Sequence, residues 1–252
     1  MVHRAELIAW CDERLNAAAI PDIASNGLQL EGRAEIRRLA VAVSTSLLTI
    51  DAAASWGADA LLVHHGLFWG GTVGPIVGGH AARLRSLFAA DLNLIAYHLP
   101  LDAHPVIGNN TLLVEAIGLT VTDRFPVYTP GAFGALGESD ASLTVEELVR
   151  RLTNVTERTP TVVGMIPASI QRVAVVTGSG YGYVRAAADA GCHALVTGDV
   201  RESTMAEARE TGITVFATGH EATERLGVQA LAHELADRFD LEITFISDPN
   251  PI

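Results

Sequence analysis

The sequence predicts an α/β fold with mostly parallel sheets, built as two related α/β units in one chain. Three observations predict it. Short apolar runs of strand length alternate with stretches of helical periodicity, which is the pattern of strand–helix–strand units. That pattern recurs in the second half at a nearly constant offset, as a weak internal duplication. Of the 252 residues, 49% are apolar, enough to bury a core and too many for a disordered chain.

Residues 3–18 read as an amphipathic helix with Leu7, Ile8, Cys11 and Leu15 on one face. A short alternating strand lies between the glycines of Asn26-Gly27-Leu28-Gln29-Leu30-Glu31-Gly32. Leu39 to Val43 is a buried strand, followed by a helix over about 46–57 and the strand Ala60 to Val63. A helix near 80–90 leads into the strand Asn93 to Tyr97, and another helix starts near Thr111. In the later half, Val173-Ala174-Val175-Val176-Thr177 echoes Val41-Ala42-Val43-Ser44-Thr45. Ala190 to Val196 echoes Trp56 to Leu62. Thr144 with Glu147, and Thr204 with Glu207, match the T-x-x-E capping box and put helix starts near 145 and 205. The turn-rich run Phe125 to Gly131 marks a boundary. The expected division is one α/β domain over 1–125 plus 215–252 and a second α/β domain over 126–214.

The formal net charge is −12, from 17 basic and 29 acidic residues, and aromatic residues make up 6%. Without a cluster of Lys and Arg or a stacking surface, nucleic-acid binding is disfavoured. Cys11 and Cys192 form neither a CxxC motif nor a disulfide framework, so both are expected to be reduced and buried. The N-terminal stretch lacks the apolar core of a signal peptide, and no apolar run approaches the roughly 20 residues that span a bilayer. The expectation is a cytoplasmic protein with no membrane partner.

The histidines carry the chemical signal. His64 and His65 stand where the strand ending in Val63 stops, and ligands of open α/β sheets bind outside the carboxyl ends of strands. Neighbouring residues of an extended chain point to opposite sides, so such a pair chelates one ion poorly but can serve two. Asp102 follows the next strand through Leu99-Pro100-Leu101, and Pro100 ends the ladder. The third piece is Thr218-Gly219-His220-Glu221-Ala222-Thr223-Glu224, after the strand Thr214 to Ala217. Thr218 with Glu221 sets a helix start near Gly219, which places His220 and Glu224 on one face. Glu224 is long enough to bridge two ions. His98 and His104 stand close by in sequence as donors to a metal ligand or to substrate, and as proton shuttles. His80, His193 and His233 have no such setting. Gly178-Ser179-Gly180-Tyr181-Gly182 lacks the spacing and lysine of a phosphate loop and reads as a tight turn. Thr197-Gly198-Asp199 takes, in the second copy, the place of His-His-Gly in the first.

Several of these runs together resemble the Nif-three-like family, whose members carry the name GTP cyclohydrolase I type 2 homologue. They are Leu62-Val63-His64-His65-Gly66-Leu67-Phe68-Trp69, Tyr97 to Pro105 with Gly108-Asn109-Asn110, and Gly219-His220-x-x-x-Glu224-Arg225. Asn26-Gly27-Leu28-Gln29 and Phe245-Ile246 with Asn250-Pro251 add to them. The resemblance covers essentially the whole chain in its short form. It implies two interlinked α/β domains, a dinuclear metal centre and a ring-shaped homohexamer assembled from dimers. By position, His65 and Asp102 would hold one divalent ion, His64 and His220 the other, with Glu224 shared. Zn, Fe, Mn and Ni all suit such a donor set.

Two functions follow as expectations. One is a metal-dependent hydrolase acting on a small anionic or nucleotide-like substrate, since three protein ligands per ion leave positions open for water. The other is a non-catalytic metal-binding ring that displays partners. Arg124 and Arg225 are the candidate clamps for an anion.

Overall fold

The computed structural model describes residues 1–70, 74–126, 132–248 and 250–252. The chain forms two compact units, Met1–Leu101 with Gly227–Pro249, and Asp102–Leu226 with Asn250–Ile252. In chain order, unit one runs β1 (Val2–His3), α1 (Arg4–Leu15), β2 (Gly27–Leu30), β3 (Glu35–Ile36), β4 (Arg38–Ser44), α2 (Leu47–Trp56), β5 (Ala60–His65), α3 (Gly78–Ala89) and β6 (Asn93–Ala96). The short helix α4 (Leu99–Asp102) ends on the first residue of unit two. Unit two continues with α5 (Asn109–Ala116), β7 (Thr120–Phe125), β8 (Gly134–Leu143), α6 (Val145–Thr156), β9 (Thr161–Gly164) and β10 (Ile170–Val176). It then adds α7 (Val184–Asp189), β11 (Ala194–Thr197), α8 (Glu202–Thr211), β12 (Thr214–Ala217) and α9 (His220–Thr223). Helix α10 (Arg225–Phe239) leads back into unit one, which β13 (Glu242–Phe245) completes.

Among the described residues, unit one holds a five-stranded sheet in the order β13-β4-β5-β6-β2. Its β13–β4, β4–β5 and β5–β6 pairings are parallel, and β2 closes the β6 edge antiparallel. The interior strands are buried along their length, which is why Leu39 to Val43 and Ala60 to Val63 are unbroken apolar runs rather than alternating ones. Ala40, Ala42, Leu61, Val63 and Leu94 pack with Ile50 and Ala53 of α2 and with Leu84 and Leu87 of α3. Ser46 caps α2 reciprocally with Thr49, and Gly57 ends it at φ 75°.

Unit two holds a six-stranded sheet in the order β7-β8-β10-β11-β12-β9. It is mixed: β10–β11 and β11–β12 are parallel, whereas β7–β8, β8–β10 and β12–β9 are antiparallel. Successive residues feed two cores on its opposite faces. Val173, Val175, Val196 and Phe216 pack with Leu113 of α5 and Leu148 and Leu152 of α6. Ala174, Val176, Leu195 and Val215 pack with Val184 and Ala187 of α7 and Ala208 of α8.

The duplication read from the sequence is present in the topology. The series β4-α2-β5-α3-β6 and β10-α7-β11-α8-β12 each lay down three consecutive parallel strands. In both, a strand from earlier in the chain, β2 or β9, closes the far edge antiparallel. The expected domain limits need correction. The units part at 101/102 and 226/227, not at 125/126 and 214/215. The reason is pairing: β7 is hydrogen-bonded to β8, and β12 to β11 and β9, so both belong to the second sheet. The turn-rich run chosen as a boundary begins at the end of β7, and its residues 127–131 lie outside the described residues.

Candidate metal centre

In unit one, the carboxyl end of β5 delivers His64 and His65. His64 is fully buried, and its Nδ1 lies 3.0 Å from the carbonyl oxygen of Tyr97. A carbonyl only accepts, so Nδ1 carries the proton and Nε2 keeps a lone pair suited to a metal. His65 Nδ1 lies 3.0 Å from Ser44 Oγ. The two rings are neighbours, with centroids 4.7 Å apart. Strand β5 stays paired with β4 as far as His65, opposite Ser44, whereas its pairing with β6 ends at Val63.

His98 follows β6. Its Nδ1 donates to the carboxylate of Asp22 at 3.0 Å, and its backbone N–H donates to Asn26 Oδ1 at 2.7 Å. Asp22 also accepts from the backbone N–H groups of Leu99 and Ala24 and from Asn26 Nδ2. Burial alone would raise the Asp22 pKa, but His98 and these donors hold it well below the usual carboxylate range. The His98 ring is centred 5.0 Å from that of His64 and 5.7 Å from that of His65. His64, His65 and His98 each offer one ring nitrogen, all within 4.8 Å of one another, a group that could hold a metal ion.

In unit two, Asp102 is buried at the end of α4 rather than directly at a strand end, because the chain turns helical at Leu99. Its Oδ1 accepts from Asn109 Nδ2 at 2.8 Å. His104 is also buried, but its Nδ1 accepts from the backbone N–H groups of Val106 and Ile107 at 3.1 and 3.0 Å. That nitrogen organises a turn, so of the two predicted proton shuttles His98 has the better setting. His220 opens α9, where Gly219 at φ 100° turns the chain sharply. Thr218 does not cap this helix; its hydroxyl pairs with that of Thr156 at 2.7 Å. Glu224 sits in the break between α9 and α10, and the expected one-turn spacing survives: His220 Nε2 is 3.3 Å from Glu224 Oε2. His220 Nδ1 lies 2.7 Å from Asp199 Oδ2. Burial pulls the His220 pKa down, but Glu224 and then Asp199 outweigh it and push it up to about 9.

Gly178 packs against this pair. At φ 62°, a Cβ there would stand 2.1 Å from Glu224 Oε1 and 3.0 Å from His220 Nε2. The glycine-rich run after β10 is thus a close-approach turn beside a carboxylate, not a phosphate loop.

Asp22, Asp199 and Gly178 were missed as functional residues by sequence reasoning. Asp199 had a usable signal, since the 134-residue offset that carries Ala60 to Ala194 carries His65 to Asp199. Asp22 had none, standing in an irregular segment far from His98 in sequence. Of the two candidate clamps, Arg225 is committed to Glu221 at 2.6 Å. Arg124 lines a cavity of about 330 Å³ together with Asp102, with its Nη1 fixed on the carbonyls of Ala103 and Ala132. His193 Nδ1 accepts from the backbone N–H of Arg172 at 3.2 Å. Both cysteines are buried free thiols; burial raises both pKa values, that of Cys192 to about 11. Among the described residues, no helix is long and apolar enough to cross a membrane.

Comparison with known proteins agrees with the motifs. A family model described as Duf34/NIF3 (NGG1p interacting factor 3) matches residues 2–251. The chain is 42% identical over 247 residues to the "GTP cyclohydrolase 1 type 2 homolog" of Escherichia coli (strain K12), covering 98% of both chains. It is 40% identical over 251 residues to the protein of the same name from Yersinia pestis, covering 99% of this chain and 100% of that one. Among solved structures, it superposes on protein ybgI, described as of unknown function, with a TM-score of 0.94 at 41% identity and full coverage of both chains. TTHA1606 from Thermus thermophilus gives a TM-score of 0.90 at 35% identity, also with full coverage.

Proposed function

Since the chain belongs to the Duf34/NIF3 family, we propose that it is a dinuclear metal protein and a metal-dependent hydrolase of a small anionic, nucleotide-like substrate. His64, His65, Asp102, His220 and Glu224 are the ligands in this reading. His65 and Asp102 would hold one divalent ion and His64 and His220 the other, with Glu224 shared. The observation that carries it is the anchoring of the imidazoles. Nδ1 of His64 and of His220 faces a protein oxygen, at 3.0 and 2.7 Å, which reserves Nε2 for a ligand. The donor set of imidazole and carboxylate fits Zn, Fe, Mn or Ni.

Two ions held there would supply a hydroxide at neutral pH and stabilise charge developing on oxygen. The protein's own part is proton handling and charge. Asp22 keeps His98 Nδ1 protonated, so His98 Nε2 is the atom that takes a proton and returns it to a leaving group. Asp102 and Glu224 offset two of the four positive charges of the ions. The remainder attracts an anion despite the net charge of −12. Ring opening of the kind named in the relatives, GTP cyclohydrolase 1 type 2, is one member of this reaction class. In this reading the working form is a homohexamer.

The test is elemental analysis of protein purified without added metal, followed by a screen of esters, phosphate esters, amides and purine nucleotides. Two ions per chain are expected. Combined His64→Ala and Glu224→Ala should remove them, and unchanged metal content would end the site assignment. His98→Ala should abolish turnover with metal content intact. The commitment of Arg225 to Glu221 removes one of the two candidate substrate clamps and favours the second reading, a non-catalytic metal-binding scaffold. That reading prevails if the metal-loaded protein turns over nothing in the screen.

A further inference from the structure

We propose that Asp199 is a positioning residue for His220, holding the imidazole so that Nε2 points to the ion it ligates. The proposal rests on the metal-site reading above and extends it to a residue outside the ligand set.

The backbone fixes Asp199 before its side chain is considered. The N–H groups of Gly198 and Asp199 both donate to the carbonyl of Gly178, at 2.9 and 3.0 Å. Gly198 is in backbone contact with the start of α9. A Cβ on it would lie 2.6 Å from His220 Cα and 2.7 Å from the Gly178 oxygen. The ends of β10 and β11 and the start of α9 are therefore locked together, and the separation between Asp199 and His220 is a property of the fold. The side-chain direction is set as well. Ser179 Oγ donates to Asp199 Oδ2 at 2.8 Å, and the same oxygen receives His220 Nδ1 at 2.7 Å. On the far side of the ring, Nε2 faces Glu224 at 3.3 Å. A carboxylate on one imidazole nitrogen fixes tautomer and ring orientation and raises the donor strength of the other nitrogen toward a metal.

The duplication gives a second, independent argument. Counted at the 134-residue offset that carries Ala60 to Ala194, Asp199 falls at the position of His65, two residues past the end of β11. In the first copy that position presents an imidazole whose Nδ1 meets Ser44 Oγ. In the second it presents a carboxylate that meets Ser179 Oγ and an imidazole. The same strand end supplies a metal ligand in one copy and the orienting group of a ligand in the other.

The experiment uses the full chain with Asp199→Asn, Asp199→Ala and Asp199→Glu. Zn²⁺ affinity is measured by competition with a chromophoric chelator. The His220 Nδ1–H proton is followed by NMR in metal-free protein, assigned by its loss in His220→Gln. Expected for Asp199→Asn is affinity weakened about 10–100-fold for one of two ions, with recovery in Asp199→Glu. The protected Nδ1–H signal should vanish in Asp199→Ala. Wild-type affinity for both ions in Asp199→Asn, or a retained signal in Asp199→Ala, overturns the proposal. Asp199→Asn keeps the shape of the side chain and guards against a variant that fails to fold. If the wild-type protein takes up no ion, the dinuclear reading falls, while the NMR signal still decides the role of Asp199.

Discussion

At His220 two carboxylates work against burial, and the carboxylates win. Burial disfavours the imidazolium, but Glu224 and Asp199 bring the pKa up to about 9 from an ordinary 6.5. The folded-state value lies above the unfolded one, so this group stabilises the metal-free protein fully below pH 6.5. The contribution disappears as pH rises through about 9. Metal uptake should run the other way, because the ligand must lose its proton first. Affinity for the ion at His220 is expected to rise with pH up to about 9, and over the same range the melting temperature of metal-free protein should lose the His220 contribution. Chelator competition and thermal melts between pH 6 and 10 check both. A pH-independent affinity would show that His220 is not a ligand.

The secondary-structure elements show which local signals were sufficient. Thr144 caps α6 through Glu147 N at 3.1 Å, as its T-x-x-E motif predicts. Thr144→Ala should cost about 1 kcal/mol of stability, read by chemical denaturation, and leave metal content unchanged. The same motif at Thr204 misled. Helix α8 begins at Glu202, and Thr204 is its third residue, accepting the N–H of Arg201 at 2.9 Å. The motif marks the reciprocal half of a cap as readily as the cap itself. At Thr218 the competing partner was tertiary: the Thr156 hydroxyl holds it, and Gly219 takes the cap position.

For the whole molecule, the fold follows from two α/β units of related topology, the second inserted between β6 and β13 of the first. Each unit has its own core, so core damage is expected to be costly wherever it falls. Phe216 is fully buried among Leu113, Leu148, Leu152 and Val196. Phe216→Ala should destabilise the protein by about 3–5 kcal/mol, measured by urea unfolding, through lost burial and the cavity left behind. A cost below about 1 kcal/mol would mean that the core collapses to fill the space. The domain limits were misread from sequence because strand pairing, not turn composition, decides which unit β7 and β12 join.

Period and spacing alone determined the α/β class, the repeat and the five candidate ligands. Those signals are local: buried parallel strands are continuous apolar runs, and ligands gather at strand ends and at helical intervals of four. The tertiary structure decided the partners of the candidate site histidines. Asp22 reaches His98 across 76 residues and Asp199 reaches His220 across 21, and no local pattern encodes either pair. It also decided that Gly178 must lack a side chain, that His104 organises a turn, and that Arg225 is already paired. The physical reason is the same in each case. Hydrogen-bond geometry and steric exclusion depend on which segments meet in space, and that is settled only when the sheets are assembled.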